Sequence, residues 1–427
     1  MPHTAVAAPD APIAIAPRPL RCRSCGAEHA PAPLAICDQC LGPLEPVYDP
    51  DRALPDRDTI AARAPSLWRY KEWLPFDGEP TLSLDTGFTP LVEAPALARR
   101  LGVAGVWLKN DTVSHPSLSF KDRVVAAAIN AAAGFGIDTI GCASTGNLAN
   151  AVAAHAARAG LKAWIFIPED LEAGKVVGTS VYGSQLVRIR GTYDDVNRLC
   201  AQIADRFGWG IVNVNLRSYY GEGSKTVAYE IAEQLGWRLP AAVVAPMAGG
   251  SLLTKLRKGF GEFLSAGVVS GSLPRLYGAQ AVGCAPIVRL VERGRDGGEL
   301  EPEKPSTICR SLAIGNPADG QFAARAIWET GGWAATVTDE ELVAGIRCLA
   351  EEAGVFAETA GGVTVAGALA LARAGRLTPD DEVVLCITGH GLKTVEAVSP
   401  ALPDAPVIAP RLREVAALVE HSSPTVA

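Results

Sequence analysis

No stretch of the 427 residues approaches the ~18 consecutive apolar positions that a membrane-spanning helix requires, so none is expected. Residues Met1 to Leu20 are rich in Ala and Pro and lack a basic segment followed by an unbroken apolar one, which argues against a secretory leader. Ten cysteines are too sparse in a chain of this length for a disulfide scaffold. Positive excess is missing as well. Against 46 Asp and Glu stand 39 Lys and Arg, a net charge of −7, whereas gripping a nucleic-acid backbone needs clustered cations. There is no repeat of solenoid period and no low-complexity block. These absences predict a soluble, reduced, cytoplasmic protein with neither a nucleic-acid nor a membrane partner. A 48% hydrophobic share is ample for a large core, and at roughly 150 residues per domain the length allows two to three domains.

Four of the cysteines nonetheless fall together. Cys22, Cys25, Cys37 and Cys40 read C-x2-C, eleven intervening residues, then C-x2-C. Each pair can form a tight knuckle, and two knuckles offer four thiolates tetrahedrally to a Zn²⁺ ion. The surrounding segment, 21–50, is too short for a core of its own, so a metal staple gives it a reason to fold. Four unligated thiols are the alternative on spacing alone. Arg18, Arg21 and Arg23 are offset by Glu28, Asp38 and Glu45, and no aromatic platform accompanies them, so a structural module is favoured over a nucleic-acid contact. Residues 1–20 read as a disordered tail, and 51–80 as a connecting arm rich in Pro, Asp and Arg. Residues 405–427 read as a C-terminal tail with one short amphipathic stretch, Leu412–Val419.

From Thr81 onward short β-branched runs alternate with Ala-rich segments of helical period. The runs are Val106–Lys109, Thr139–Ala143, Ala163–Ile167, Leu186–Ile189, Ile211–Val214, Ala241–Ala245, Leu276–Ala279 and Val383–Ile387; Leu148–Arg158 and Thr226–Leu235 are two of the helical segments. Sustained strand–helix alternation predicts an α/β fold with an open, mostly parallel sheet. Chemistry in such sheets gathers at the carboxyl ends of the strands.

Four junctions stand out there. Ser119-Phe120-Lys121-Asp122 leads into a helix, with Ser119 and Asp122 in the spacing of a capping box. In its first turn the helix dipole and Arg123 would disfavour the cationic form of Lys121, making it a nucleophile toward an aldehyde and a proton carrier; a solvated first-turn lysine fits the local sequence as well. Ser144-Thr145-Gly146-Asn147 joins a strand to a helix through small hydroxyl and amide side chains that suit a carboxylate, or that simply cap the helix. Ala248-Gly249-Gly250-Ser251-Leu252 lets backbone approach an anion at a helix start. It lacks both the Walker and the full Gly-x-Gly-x-x-Gly pattern, so a monophosphate fits better than a nucleotide. Thr388-Gly389-His390-Gly391 places a hydroxyl at a strand end, where a planar ligand could meet it edge-on. Taken together, a helix-start lysine, a carboxylate-type loop, a monophosphate-type loop and a strand-end hydroxyl are the parts of a pyridoxal phosphate site.

The motifs Ser119-Phe120-Lys121-Asp122-Arg123, Ser144-Thr145-Gly146-Asn147 and Thr388-Gly389-His390-Gly391-Leu392-Lys393 resemble those of threonine synthases, in the tryptophan-synthase-β group of pyridoxal phosphate enzymes. Ile314-Gly315-Asn316-Pro317-Ala318 and Glu222-Gly223-Ser224-Lys225-Thr226 are similar to that family too, and the paired-cysteine head resembles its ribbon-headed members. The resemblance implies fold type II: two open, mostly parallel sheets flanked by helices, with a small zinc-ribbon-like module at the N-terminus. It implies a catalytic core over 51–404, with a smaller subdomain at about 120–225 inserted in the larger, and a homodimer. It implies Lys121 as the Schiff-base lysine and Asn147 as a partner of the cofactor's 3′-oxygen. Ala248, Gly249, Gly250, Ser251 and Leu252 would cradle the cofactor phosphate, and Thr388 would face the pyridine nitrogen. Ser144, Thr145 and Asn147 would lie near the substrate carboxylate, with Asn215, Arg217 and Lys225 as candidates for the substrate phosphate.

The reaction so implied is conversion of O-phosphohomoserine and water to threonine and phosphate. Two other readings stay open at this point. One is a β-replacement or β-elimination enzyme acting on O-phosphoserine, serine or threonine; the other is a pseudoenzyme with a binding role. His115 and His390 read as structural or solvent-facing, and Cys142, Cys284 and Cys386 as buried small hydrophobes.

Overall fold

The computed structural model describes residues 15–422, apart from 81, 83, 145, 170–172 and 192. Two sheets form its centre. The larger has six strands in the order Ala334–Val337, Arg275–Ala281, Ala242–Pro246, Glu382–Ile387, Gly105–Asn110 and Leu91–Glu93. Its neighbours pair in parallel except at the last edge, where Leu91–Glu93 runs antiparallel to Gly105–Asn110. The smaller sheet is wholly parallel, in the order Gln185–Ile189, Lys162–Pro168, Thr139–Ala143, Gly210–Ile211. It is built from one continuous stretch that interrupts the larger sheet between Gly105–Asn110 and Ala242–Pro246. Every residue of Thr139–Ala143 and of Ala242–Pro246 is buried, which explains why these strands read as unbroken apolar runs and not as alternating ones.

The expected run Ile211–Val214 pairs only through Gly210–Ile211. Val212 N still donates to Gly141 O at 2.9 Å, and around it side chains take the place of ladder bonds. Asn215 Oδ1 accepts from Ile211 N at 2.7 Å and Asn213 Oδ1 from Ala143 N at 3.1 Å. The expected tail is also shorter than residues 1–20. Ala16–Pro17 pairs antiparallel with Phe76–Asp77, Ile15 is buried, and Arg18 reaches Asp77 at 2.6 Å; residues 1–14 lie outside the described residues. Nor is 51–80 a loose arm. Tyr70 and Trp73 are fully buried against Tyr229 and Phe263, with ring centroids 5.3 Å (Tyr70–Tyr229) and 5.2 Å (Trp73–Phe263) apart. Near the N-terminus Glu28–His29, Leu20–Cys22 and Leu44–Pro46 form a small antiparallel sheet beside the cysteines. Among the described residues no helix is long and apolar enough to cross a membrane.

A buried ionic cluster fixes the helix Lys121–Gly134 to the larger sheet. Arg123 lies 2.7 Å from Asp111 and also pairs with Glu230, which in turn takes Lys109 at 2.6 Å; all four side chains are essentially inaccessible. Two cations thus meet two carboxylates, the condition under which buried charge is tolerated.

Candidate active site

A cavity of about 400 Å³ opens at the carboxyl ends of Thr139–Ala143, Ala242–Pro246 and Glu382–Ile387, with walls from both sheets. Lys121 enters it as the first residue of the helix Lys121–Gly134, and its Nζ donates to Tyr220 Oη at 3.1 Å. The loop before it is pinned by backbone pairing, since Phe120 N donates to Thr388 O at 2.9 Å and Ser119 bridges Gly389. Lys121 and Thr388, 267 positions apart, are therefore held in one register. The expected capping box does not form. Asp122 turns back instead to accept from Ser117 N and Ser117 Oγ at 3.0 and 2.7 Å, leaving Ser119 Oγ buried without a partner. Arg123 is neutralised within its own ion cluster.

On the facing wall the helix Asn147–Ala159 begins after Gly146, whose φ of +135° only glycine adopts easily. Ser144 Oγ accepts from Gly146 N at 3.0 Å and Ala149 N at 2.9 Å, so this hydroxyl holds the turn and keeps its proton for donation. Asn147 Nδ2 donates to both oxygens of Glu358, at 2.9 and 2.7 Å, whereas Asn147 Oδ1 is buried with no partner among the described residues. Glu358 is held in turn by Glu358 N donating to Gly389 O at 2.9 Å.

The third wall is Ala248 to Leu252. Gly250 has φ +89°, and a Cβ there would stand 2.9 Å from Asp319 O; a Cβ on Gly249 would meet open space. The helix Ser251–Ser265 starts here with no side-chain cap, leaving its first N–H groups for an anion. Asp319 ties this loop to its surroundings. Its N donates to Gly249 O at 3.0 Å, and its carboxylate takes Arg217 at 2.6 Å and Arg23 at 3.1 Å.

The structure thus gathers Lys121, Ser144, Asn147, Arg217, Ala248, Gly249, Gly250, Ser251, Leu252 and Thr388 around one cavity. Thr145 lies outside the described residues. Asn215 and Lys225 do not line the cavity. Asn215 spends its amide on Ile211 N and Trp209 O. Lys225 is fully buried elsewhere, 2.7 Å from Glu222 and 3.0 Å from both Glu262 and Tyr48 Oη, a cation already matched. His115 is exposed and outside the lining, and His390 Nδ1 accepts from Leu392 N as a local cap. Burial and Lys393 lower the His390 pKa. Cys142, Cys284 and Cys386 are buried, and burial pushes the Cys386 thiol up to about 12.

Sequence reasoning missed Tyr220, Glu358, Ser311, Asn316 and Asp319, which also line the cavity. Only Asn316, within Ile314–Ala318, carried a local signal. Ser311 Oγ is a second buried lining atom without a partner among the described residues.

At the N-terminal end the four sulfurs of Cys22, Cys25, Cys37 and Cys40 all lie within 4.8 Å of one another. Backbone N–H groups of Ser24 and Cys25 point at Cys22 Sγ (3.4 and 3.5 Å), and those of Gln39 and Gly42 at Cys37 Sγ and Cys40 Sγ (both 3.4 Å). Ala35 and Ile36, from the loop between the two pairs, reach the cavity wall.

Residues 82–389 match the family of pyridoxal-phosphate dependent enzymes. The chain is 35% identical over 382 residues to a threonine synthase of Methanosarcina acetivorans, covering 89% of this chain and 93% of that protein. It is also 35% identical to a threonine synthase of Methanocaldococcus jannaschii, covering 88% and 93%. Among solved structures, a fungal L-serine ammonia-lyase from Rhizomucor miehei superposes with a TM-score of 0.61 at 23% identity, over 71% of this chain and 94% of that one. That likeness is one of fold.

Proposed function

Because the chain belongs to the pyridoxal-phosphate dependent enzymes, and within them to the threonine synthases, we propose that this cavity converts O-phosphohomoserine and water to threonine and phosphate. The observation that carries the reading is the convergence of Lys121, the uncapped helix start at Gly250–Leu252 and Arg217 on one cavity.

The residues present fit the cofactor. Ser251 and Leu252 open a helix whose first N–H groups lack a side-chain cap, Gly249 leaves space where a Cβ would stand, and two buried lining atoms, Asn147 Oδ1 and Ser311 Oγ, await partners. Ala248 to Leu252 would hold the phosphate, Asn147 the 3′-oxygen, Thr388 the ring nitrogen and Lys121 the aldehyde carbon. When bound, pyridoxal phosphate supplies an electron sink for charge developing next to the substrate amine. A hydroxyl at the ring nitrogen holds a proton there less firmly than a carboxylate would, so proton management falls to the lysine.

Lys121 Nζ takes and returns the protons at Cα and Cβ, with Tyr220 Oη orienting it. Glu358 fixes the amide plane of Asn147 by accepting from its Nδ2 with both carboxylate oxygens. Ser144 offers its remaining O–H to the substrate carboxylate, beside Thr145. Arg217 releases Asp319 to meet the substrate phosphate, and that pairing, made only by a substrate long enough to reach it, selects O-phosphohomoserine over O-phosphoserine. At the N-terminal end the four thiolates hold a structural Zn²⁺. Their mutual distances and the backbone N–H groups aimed at sulfur support a closed tetrahedral site. A homodimer in the cytoplasm completes the proposal, by analogy with the fold group.

The test is turnover of the purified protein with O-phosphohomoserine and, separately, O-phosphoserine. Equimolar threonine and phosphate from the first substrate alone support the reading; turnover of O-phosphoserine alone overturns it in favour of β-replacement chemistry.

A further inference from the structure

A second recess, of about 300 Å³, lies outside the catalytic cavity, where the cysteine-rich module meets the helices Ser251–Ser265 and Gly320–Glu329. Its walls carry five cations, Arg23, Lys255, Arg257, Lys258 and Arg325, and only two carboxylates, Glu45 and Glu329. This is a concentration of positive charge in a chain whose net charge is −7. Part of it is matched. Lys258 lies 3.0 Å from Glu45 and 3.2 Å from Glu222, Lys255 pairs with Glu222, and Arg23 stacks 3.9 Å over the Phe322 ring while touching Asp319. Burial would raise the Glu45 pKa, but Lys258 and Lys255 hold it below the ordinary carboxylate value.

Of the other two cations only Arg325 is left without a carboxylate among the described residues. Arg325 has no ion-pair partner among the described residues, and Arg257, though 2.6 Å from Glu329, keeps its Nε buried without an acceptor. The unpaired Arg325 guanidinium and that of Arg257, which has more N–H donors than its pair with Glu329 uses, line a concave space backed by two lysines, and such planar forks take a phosphate group. The volume suits one compact group and not a strand of nucleic acid.

We propose that this recess is a second anion site, which binds a compact phosphate-bearing ligand, a diphosphate group in particular, through Arg257, Arg325 and Lys258. It is wired to the catalytic cavity in two ways. The helix that lines it, Ser251–Ser265, starts within the Ala248–Leu252 loop. In addition, Arg23 shares Asp319 with Arg217, so an anion that draws Arg23 away changes the grip of Asp319 on Arg217.

The experiment is isothermal titration of the pyridoxal-phosphate-loaded protein with inorganic pyrophosphate. Saturable binding near one equivalent is expected, weakened at least tenfold in Arg325→Glu and clearly weakened in Arg325→Ala. Arg325 is exposed, so both variants should fold. Thr388→Ala, which lines the catalytic cavity and is not a wall residue of the recess, should change the affinity less than twofold. The source of the anion follows from a parallel titration with a nucleoside diphosphate: tighter binding than pyrophosphate identifies a nucleotide, and equal binding identifies the diphosphate group alone.

A kinetic arm rests on the proposed reaction. Pyrophosphate should raise KM for O-phosphohomoserine several-fold in the wild type and much less in Arg325→Glu. Unchanged binding in Arg325→Glu, loss of binding in Thr388→Ala, or no saturable heat overturns the site. Equal inhibition of wild type and Arg325→Glu overturns the coupling.

Discussion

Replacing Glu230 by Gln is expected to remove about 3 kcal/mol of folding stability. Glu230 is fully buried, pairs with Arg123 and with Lys109 (2.6 Å), and accepts from Phe88 N at 2.7 Å and Thr89 N at 3.2 Å. Burial by itself would raise its pKa, but Arg123 and Lys109 reverse that and lower it from 4.5 to about 2. At about 1.4 kcal/mol per pH unit, this difference amounts to about 3 kcal/mol. The cost of removing one partner from a buried ion pair is in the same range, ~3–5 kcal/mol. Glutamine keeps the volume and one acceptor, so the loss reports charge and not a cavity. The sign of the pH dependence follows from a pKa lowered by folding. The contribution is complete above about pH 4.5 and disappears as pH falls toward about 2, so the gap between wild type and variant should narrow in acid. Urea unfolding followed by circular dichroism at about pH 7 and about pH 3.5 measures both. A gap under ~1 kcal/mol at neutral pH, or one that fails to shrink in acid, would refute the reasoning.

Three further perturbations address the site directly. Lys121→Ala should abolish both the visible absorbance of the bound cofactor and turnover while leaving the unfolding midpoint near wild type; retained activity would remove Lys121 from its role. Gly146→Ala should lower stability by about 1–3 kcal/mol and weaken cofactor binding, because its φ is +135° and the added Cβ would run into the Lys175 side chain; cofactor titration and thermal melting check this. Cys22→Ser, or a strong chelator, should release about one Zn²⁺ per chain by elemental analysis. Protein purified without metal and equally stable would reject the structural ion.

Much of the fold was legible because parallel strands buried on both faces are written as continuous apolar runs. Thr139–Ala143 was read with its bounds as observed, and Val383–Ile387 to within one residue. Leu91–Glu93 and Ala334–Val337 were not read, being short edge strands whose pairing depends on neighbours far along the chain. In the site, residues at strand–helix junctions could be found because Gly, Ser and Asn mark the turn chemically. Glu358 could not, since its contact with Asn147 spans 211 positions and nothing local announces it. Lys225, one of three candidates for the substrate phosphate, lies outside the cavity for a related reason. Glu222, three residues earlier, is close enough on the helical turn to pair with it. Tertiary partners, more than residue type, decide which cations remain free for a ligand.

The most direct test of the reaction is isotopic. Protein loaded with pyridoxal phosphate is given O-phosphohomoserine in water enriched in oxygen-18, and both products are analysed by mass spectrometry. Elimination at Cγ followed by addition of water at Cβ breaks the carbon–oxygen bond, so the heavy oxygen should appear in the threonine hydroxyl and be absent from the phosphate. Heavy oxygen in the phosphate, with homoserine as the other product, would mean hydrolysis at phosphorus and would contradict the account.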